Sequence, residues 1–132
     1  MEKELKLGAE ARLTLKDNVV VKERIRKSYR LPQIDIQLRK DRTSKEASLL
    51  QKAARAQVNV PQISKVDKEN FLIEMEFIEG ILIDKIINDD LAKELGREIA
   101  LMHNNSIIHG DLTTSNIIIK ESHVYFIDFG LG

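Results

Sequence analysis

The sequence predicts an α+β fold. A strand-rich first part should carry one main helix, and a reduced helical second part should follow it. Three observations predict this. Apolar and β-branched runs flank turn-forming pairs, as in "LTLKDNVVVKERI". Two longer stretches repeat apolar residues at helical spacing. Two short apolar runs near the end, "IIIK" and "VYFID", read as a hairpin.

The elements follow in order. Residues 5 to 15 and 18 to 25 flank Asp17-Asn18, a pair that favours a turn, so a hairpin of two strands is expected. Residues 26 to 42 are polar and basic, with Pro32 interrupting. Thr43-Ser44-Lys45-Glu46 has capping-box form, and Ala47, Leu50, Ala54 and Val58 keep helical spacing. A helix is expected from about 43 to 57, closed by Asn59 and Pro61. Strands follow around 62 to 66 and 71 to 77, ending at Glu79-Gly80. Asn88-Asp89-Asp90 can cap a second helix, with Leu91, Leu95, Ile99 and Met102 on one face and Asn104-Asn105 stopping it. A polar loop, 109 to 116, leads into short strands at 117 to 120 and 123 to 127. The natural boundary near Glu79-Gly80 divides the chain into 1–78 and 79–132.

The 132 residues suffice for one domain, or one domain and part of another. At 42% apolar the chain can build a core. It has no cysteine, which excludes disulfides and thiolate metal sites and fits a reducing cytosol. No apolar run approaches the roughly 18 residues that span a bilayer, and the N-terminus lacks a signal-peptide core. The expectation is a cytoplasmic protein without a membrane partner. Net charge is zero, but residues 22 to 45 hold nine Lys/Arg against three acidic residues, a local excess of +6. That segment is either a solvated basic face or a contact for phosphate.

The loop "HGDLTTSN" poses a chemical question. Isoleucines flank it, yet it carries Asp111 and Asn116, and Asp128 follows in "YFIDFG". Alone, an Asp or Asn in a loop usually caps a turn. Together these residues suit phosphoryl transfer, which needs an aligned nucleophile and neutralised phosphate charge. Magnesium takes oxygen ligands, which Asp128 and Asn116 can supply. Asp111 can accept a proton from a hydroxyl or water. The pattern H-x-D-x-x-x-x-N joined to D-F-G is the protein-kinase signature, so the fold expected is protein-kinase-like. His109 reads as a structural histidine that orders the loop. A kinase also needs a strand lysine paired with a helix glutamate. Lys22 and Glu46 are the candidates, although Arg24 competes with Lys22 and Glu46 fits the capping box equally well. Gly8, in "LGAEA", is the candidate for a loop over the phosphates, and Glu10 there is odd because a carboxylate repels phosphate. "LIEMEFIEG" has the form of an interlobe linker, where backbone groups of Glu76 and Ile78 could hold adenine with Met75 behind.

With "LGAEA", "VVVKERIRKSYR", "RTSKEASLL", "MEFIEG", "IIHGDLTTSNIII" and "YFIDFGLG" assembled, the chain resembles the atypical serine/threonine kinases of KEOPS complexes, relatives of the RIO kinases. The resemblance runs from Gly8 to Gly132. It implies that Gly8, Ala9, Glu10 and Ala11 replace the glycine-rich loop. Lys22 would bind phosphates and pair with Glu46, Asp111 would be catalytic, and Asn116 and Asp128 would hold magnesium. The implied cofactors are ATP and Mg2+. The implied role is support of threonylcarbamoyladenosine formation on tRNA. The implied partners are the tRNA threonylcarbamoyltransferase subunit, a small subunit docking on the N-lobe, and tRNA.

The sequence departs from ordinary protein kinases in three ways. Gly110 stands where most carry arginine, which disfavours control by a phosphorylated activation loop. Thr113 replaces a lysine that helps neutralise the transferring phosphate. The sequence stops just after DFGLG, where the family continues with further helices, so exposed apolar surface is expected in the second part. A small-molecule kinase of the aminoglycoside or choline type, which also uses "HGD…N" and "IDF", is an alternative. A nucleotide-binding scaffold without chemistry is another.

Overall fold

The computed structural model describes residues 2–7 and 10–129. Five antiparallel strands form the first sheet, in the order β1-β2-β3-β5-β4. They are β1 (Glu2–Leu7), β2 (Ala11–Lys16), β3 (Val19–Arg24), β4 (Ile63–Asp67) and β5 (Leu72–Glu76). The turn at Asp17-Asn18 is as expected, with φ of 50° and 66°, the left-handed pair that a two-residue hairpin turn requires. The stretch from 5 to 15 is not one strand, however. It divides into β1 and β2, which pair with each other, so a three-stranded meander replaces the expected hairpin.

The largest correction concerns the main helix. α1 spans Pro32–Arg55, beginning eleven residues before the expected start at 43. Pro32 starts the helix rather than interrupting it, because the first turn needs no amide donor there. Residues 33 to 42 show no apolar stripe. Their helix is held by side-chain pairs one turn apart: Arg39 Nε on Asp35 Oδ2 at 2.7 Å, and Gln37 Nε2 on Asp41 Oδ1 at 2.7 Å. Thr43 lies mid-helix and donates its hydroxyl to the Arg39 carbonyl at 2.7 Å, so the capping-box pattern caps nothing. Ala47, Leu50 and Ala53 are its buried apolar positions, beside the buried Thr43 and Glu46; Ala54 faces solvent, and Val58 is buried beyond the helix end. Gln57, at φ 67°, turns the chain out of α1 before Asn59 and Pro61 are reached.

In the second half, α2 (Asp89–Asn104) begins as expected, with Asn88 Oδ1 accepting from the Leu91 amide at 2.9 Å. β7 (Ile117–Lys120) and β8 (His123–Phe126) form the hairpin. A two-residue strand, β6 (Ile81–Leu82), joins them in the order β6-β7-β8 and is too short to leave a periodic signal. Gly80 precedes it, and a Cβ there would collide with the Ile119 carbonyl and the Ile118 side chain, so glycine permits β6 to pair. One hydrophobic cluster serves both sheets, running from Val20, Leu50 and Ile73 to Met102, Val124, Phe126 and Phe129. Exposed large apolar residues occur in both parts, among them Tyr29, Leu31, Ile34, Ile87 and Ile108. Among the described residues, no helix is long and apolar enough to cross a membrane.

Candidate active site

Alternation along β3 places Val20, Lys22 and Arg24 on its buried face. Two buried cations are costly unless a counter-charge meets them. α1 brings Glu46 to both. Lys22 Nζ lies 2.8 Å from Glu46 Oε2, and Arg24 Nη2 lies 3.0 Å from Glu46 Oε1. Lys22 reaches further, and the same Nζ lies 2.9 Å from Asp128 Oδ1. Lys22 and Arg24, rivals in the sequence, thus act on one carboxylate, and Lys22 makes the second bond.

Asp128 is aimed by its neighbours. Phe129 is fully buried, its ring 4.4 Å from that of His109. Asp128 itself takes φ 62°, a left-handed conformation that aspartate tolerates better than most residues. The preceding Ile127 is pinned on both sides of its peptide group. Its amide donates to the Asn116 carbonyl at 3.0 Å, and its carbonyl receives His109 Nε2 at 2.7 Å. His109 Nδ1 accepts from the Asp111 amide at 3.2 Å, so a neutral ring with its hydrogen on Nε2 satisfies both bonds. His109 therefore ties the loop to the residue before Asp128.

Asp111 and Asn116 are also brought together. Asn116 Nδ2 donates to the Asp111 carbonyl at 2.9 Å and lies 3.4 Å from Asp111 Oδ2. With Nδ2 engaged, Oδ1 is the side-chain acceptor Asn116 retains. Asn116 ends a 3-10 turn, Thr114–Asn116, where its own amide donates to the Thr113 carbonyl at 2.9 Å. Gly110 has φ 92°, a conformation that would strain the arginine usual there. No cluster of three His, Cys, Asp or Glu side chains suited to a cation exists among the described residues. The candidate ligand set is accordingly one carboxylate and one amide, both hard oxygen donors that suit magnesium.

The remaining sequence candidates divide. Gly8 and Ala9 lie outside the described residues. Ala11 is buried at the start of β2, opposite Arg24. Glu10 Oε2 lies 3.1 Å from Arg42 Nη1 and 4.0 Å from Arg30 Nη2, so arginines offset its charge. Glu76 ends β5 and its amide donates to the Gln62 carbonyl at 2.8 Å. Ile78 and Met75 are buried nearby in sequence. A cleft of about 640 Å³ lies beside Leu91, Glu94 and Ile119, and another is lined by Asn18, Glu76 and Phe77.

The basic segment also looks different in three dimensions. Lys22, Arg24, Arg30, Arg39, Lys40 and Arg42 each pair with a carboxylate of the same chain. Its formal excess of positive charge therefore overstates what it presents to a partner. Asp35 is the hub of the first turn of α1. Burial opposes its ionisation, but the Lys27 amide, then Arg39 and Arg30, outweigh burial and hold the carboxyl below its ordinary range. Asp35 and the role of Arg24 escaped the sequence reading. The available signal for Arg24 was its two-residue offset from Lys22 on a strand, which puts both on one face.

The model of the RIO domain matches residues 16–131. The chain belongs to the RIO family. Among relatives of this RIO chain, KEOPS complex subunit Bud32 of Pyrococcus abyssi is 46% identical over 97% of the chain and 66% of the relative. A probable bifunctional tRNA threonylcarbamoyladenosine biosynthesis protein of Methanobrevibacter smithii is 47% identical over 87% of the chain and 21% of that protein. The chain thus spans less than two thirds of either relative. The Rio2 kinase of Chaetomium thermophilum, solved as an ADP/Mg2+-phosphoaspartate complex, shares the fold. Its TM-score is 0.69 at 19% identity, over 95% of this chain and 46% of that one. The kinase-like fold expected from the sequence is therefore present.

Proposed function

We propose that this RIO-family chain is an ATP-dependent phosphotransferase or ATPase that supports threonylcarbamoyladenosine formation on tRNA as a Bud32-type KEOPS subunit. The single observation that carries this reading is Lys22 Nζ held between Glu46 and Asp128, at 2.8 and 2.9 Å. That contact joins the first sheet and α1 to the segment after β8, which bonds from Ile127 to His109 and Asn116 tie to the loop carrying Asp111. The names borne by the Pyrococcus abyssi and Methanobrevibacter smithii relatives support the tRNA setting.

In this reading residues 1–78 form the N-lobe and 79–132 part of the C-lobe. Lys22 meets the phosphates, and Gly8, Ala9, Glu10 and Ala11 take the part of a glycine-rich loop. Adenine lies against the backbone of Glu76 and Ile78. The Glu76 amide is engaged by Gln62, which leaves the donor role to Ile78. Asp128 and Asn116 Oδ1 hold Mg2+, which when bound neutralises triphosphate charge. Asp111 takes the proton of the attacking hydroxyl or water. The absence of a lysine at Thr113 favours water over a protein hydroxyl. The threonylcarbamoyltransferase subunit, a small subunit on the N-lobe, and tRNA are the partners, in the cytoplasm.

The test is magnesium-dependent ATP hydrolysis by wild type and Asp128→Ala, with and without the threonylcarbamoyltransferase. Wild type should turn over and the variant should not, while circular dichroism shows both folded. Equal turnover in the variant would overturn the assignment.

A further inference from the structure

Arg24 belongs to none of the roles assigned above, yet it is a buried cation, only 5% exposed. Its guanidinium lies 3.0 Å from Glu46 Oε1, while Lys22 holds Oε2 at 2.8 Å. Each oxygen of Glu46 thus has its own cation. Arg24, Glu46, Lys22 and Asp128 form a chain of alternating charge that is neutral as a whole. Its buried end is Arg24, and its half-exposed end is Asp128.

The backbone makes this arrangement stiff. Arg24 ends β3, pairs with Ala11 of β2, and donates its amide to the Phe71 carbonyl at 2.9 Å. Glu46 lies on α1 between the buried Thr43 and Ala47. Were Glu46 bonded to Lys22 alone, its carboxylate could rotate about its last torsion and carry the ammonium with it. With Oε1 held by Arg24, that rotation is blocked, and Lys22 Nζ keeps one position. Half of the carboxylate's hydrogen-bonding capacity is also diverted from Lys22, which eases exchange of Asp128 for another anion at Nζ.

We propose that Arg24 is a positioning residue for phosphate recognition. It clamps Glu46 so that Lys22 stays aimed at the nucleotide phosphates, with the pair assembled before any ligand or partner arrives. This rests on the nucleotide-binding reading of the same site and adds the residue that sets its geometry.

The test measures MgATP and adenosine affinity by calorimetry for the full chain and for Arg24→Met and Arg24→Gln, well below their unfolding temperatures. Arg24→Met should weaken MgATP binding by about tenfold or more, as expected when a charged contact is misplaced, and leave adenosine within about twofold. Arg24→Gln can still hydrogen-bond Glu46 and should lose less. A purely structural arginine would lower the unfolding temperature and leave the ratio of the two affinities unchanged. An unchanged ratio in Arg24→Met, which folds but cannot hold Glu46, overturns the proposal, as does an equal loss in Arg24→Met and Arg24→Gln. Failure of wild type to bind MgATP would instead overturn the nucleotide reading itself.

Discussion

Lys22 has two carboxylates at nearly equal distance, and their surroundings could hardly differ more. Glu46 is 2.8 Å away with its side chain 1% exposed; Asp128 is 2.9 Å away with its side chain 49% exposed. Glu46 sits on a long helix packed against a five-stranded sheet. Asp128 sits in a left-handed bend held by hydrogen bonds to its neighbours. Equal distances therefore do not mean equal energies. A buried carboxylate between two cations is an anchor whose removal strands both charges. A half-exposed carboxylate competes with water and can exchange the Lys22 ammonium for a metal ion.

Ways to break this contrast run from large effects to small. The largest should be on turnover, where Asp128→Ala loses about a thousandfold or more, the scale for losing an electrostatic stabiliser of the transition state. Next is stability. Urea denaturation of Glu46→Ala should show a loss of about 3–5 kcal/mol, because Lys22 and Arg24 remain buried without their carboxylate. Asp128→Ala should change stability by less than about 1 kcal/mol. Equal costs for the two substitutions would dissolve the distinction between anchor and exchangeable partner.

Asp35 sharpens the comparison as a second buried carboxylate held by two arginines. Its folded value is depressed below the ordinary 3.8, so its contribution is present above that pH and fades as pH falls through the folded value. Acid unfolding of Asp35→Asn should therefore show a shallower loss of stability below pH 3.8 than wild type. Glu98, on α2, is the converse. Burial, then the charge of Glu94, raise its carboxyl, and its Oε2 is buried without a hydrogen-bond partner. A raised value means that its penalty is relieved as pH falls through that value. Glu98→Gln should raise the unfolding free energy measured in urea at neutral pH, by no more than about 1 kcal/mol. A loss of stability there would show that its charge is used.

In the second half α2 and the β7-β8 hairpin were legible in the sequence, while β6 was not. Asn88 caps α2, and Leu91 to Met102 line one face, because that helix has a cap and a clear apolar stripe. The basic stretch before Thr43 was misread because ion pairs, not apolar periodicity, hold that part of α1. Thr43 and Glu46 show how one short pattern can serve two purposes, and burial rather than spacing decides between them. Apart from Lys22 with Glu46, the ion pairs of the basic segment were equally hidden, since charge counting sees residues and not their partners.

What the sequence determined by itself was local: the Asp17-Asn18 turn, the second helix, and the loop whose Asp111 and Asn116 stand five residues apart and bond to each other. Such features lie within reach of a few backbone torsions. What only the tertiary structure decided was that Glu46 serves Arg24, 22 residues away, as well as Lys22, and that Lys22 also reaches Asp128 across 106 residues. No periodicity spans such separations. The buried face of β3 must pack on α1, and a charge placed there must find its opposite or leave the fold unstable.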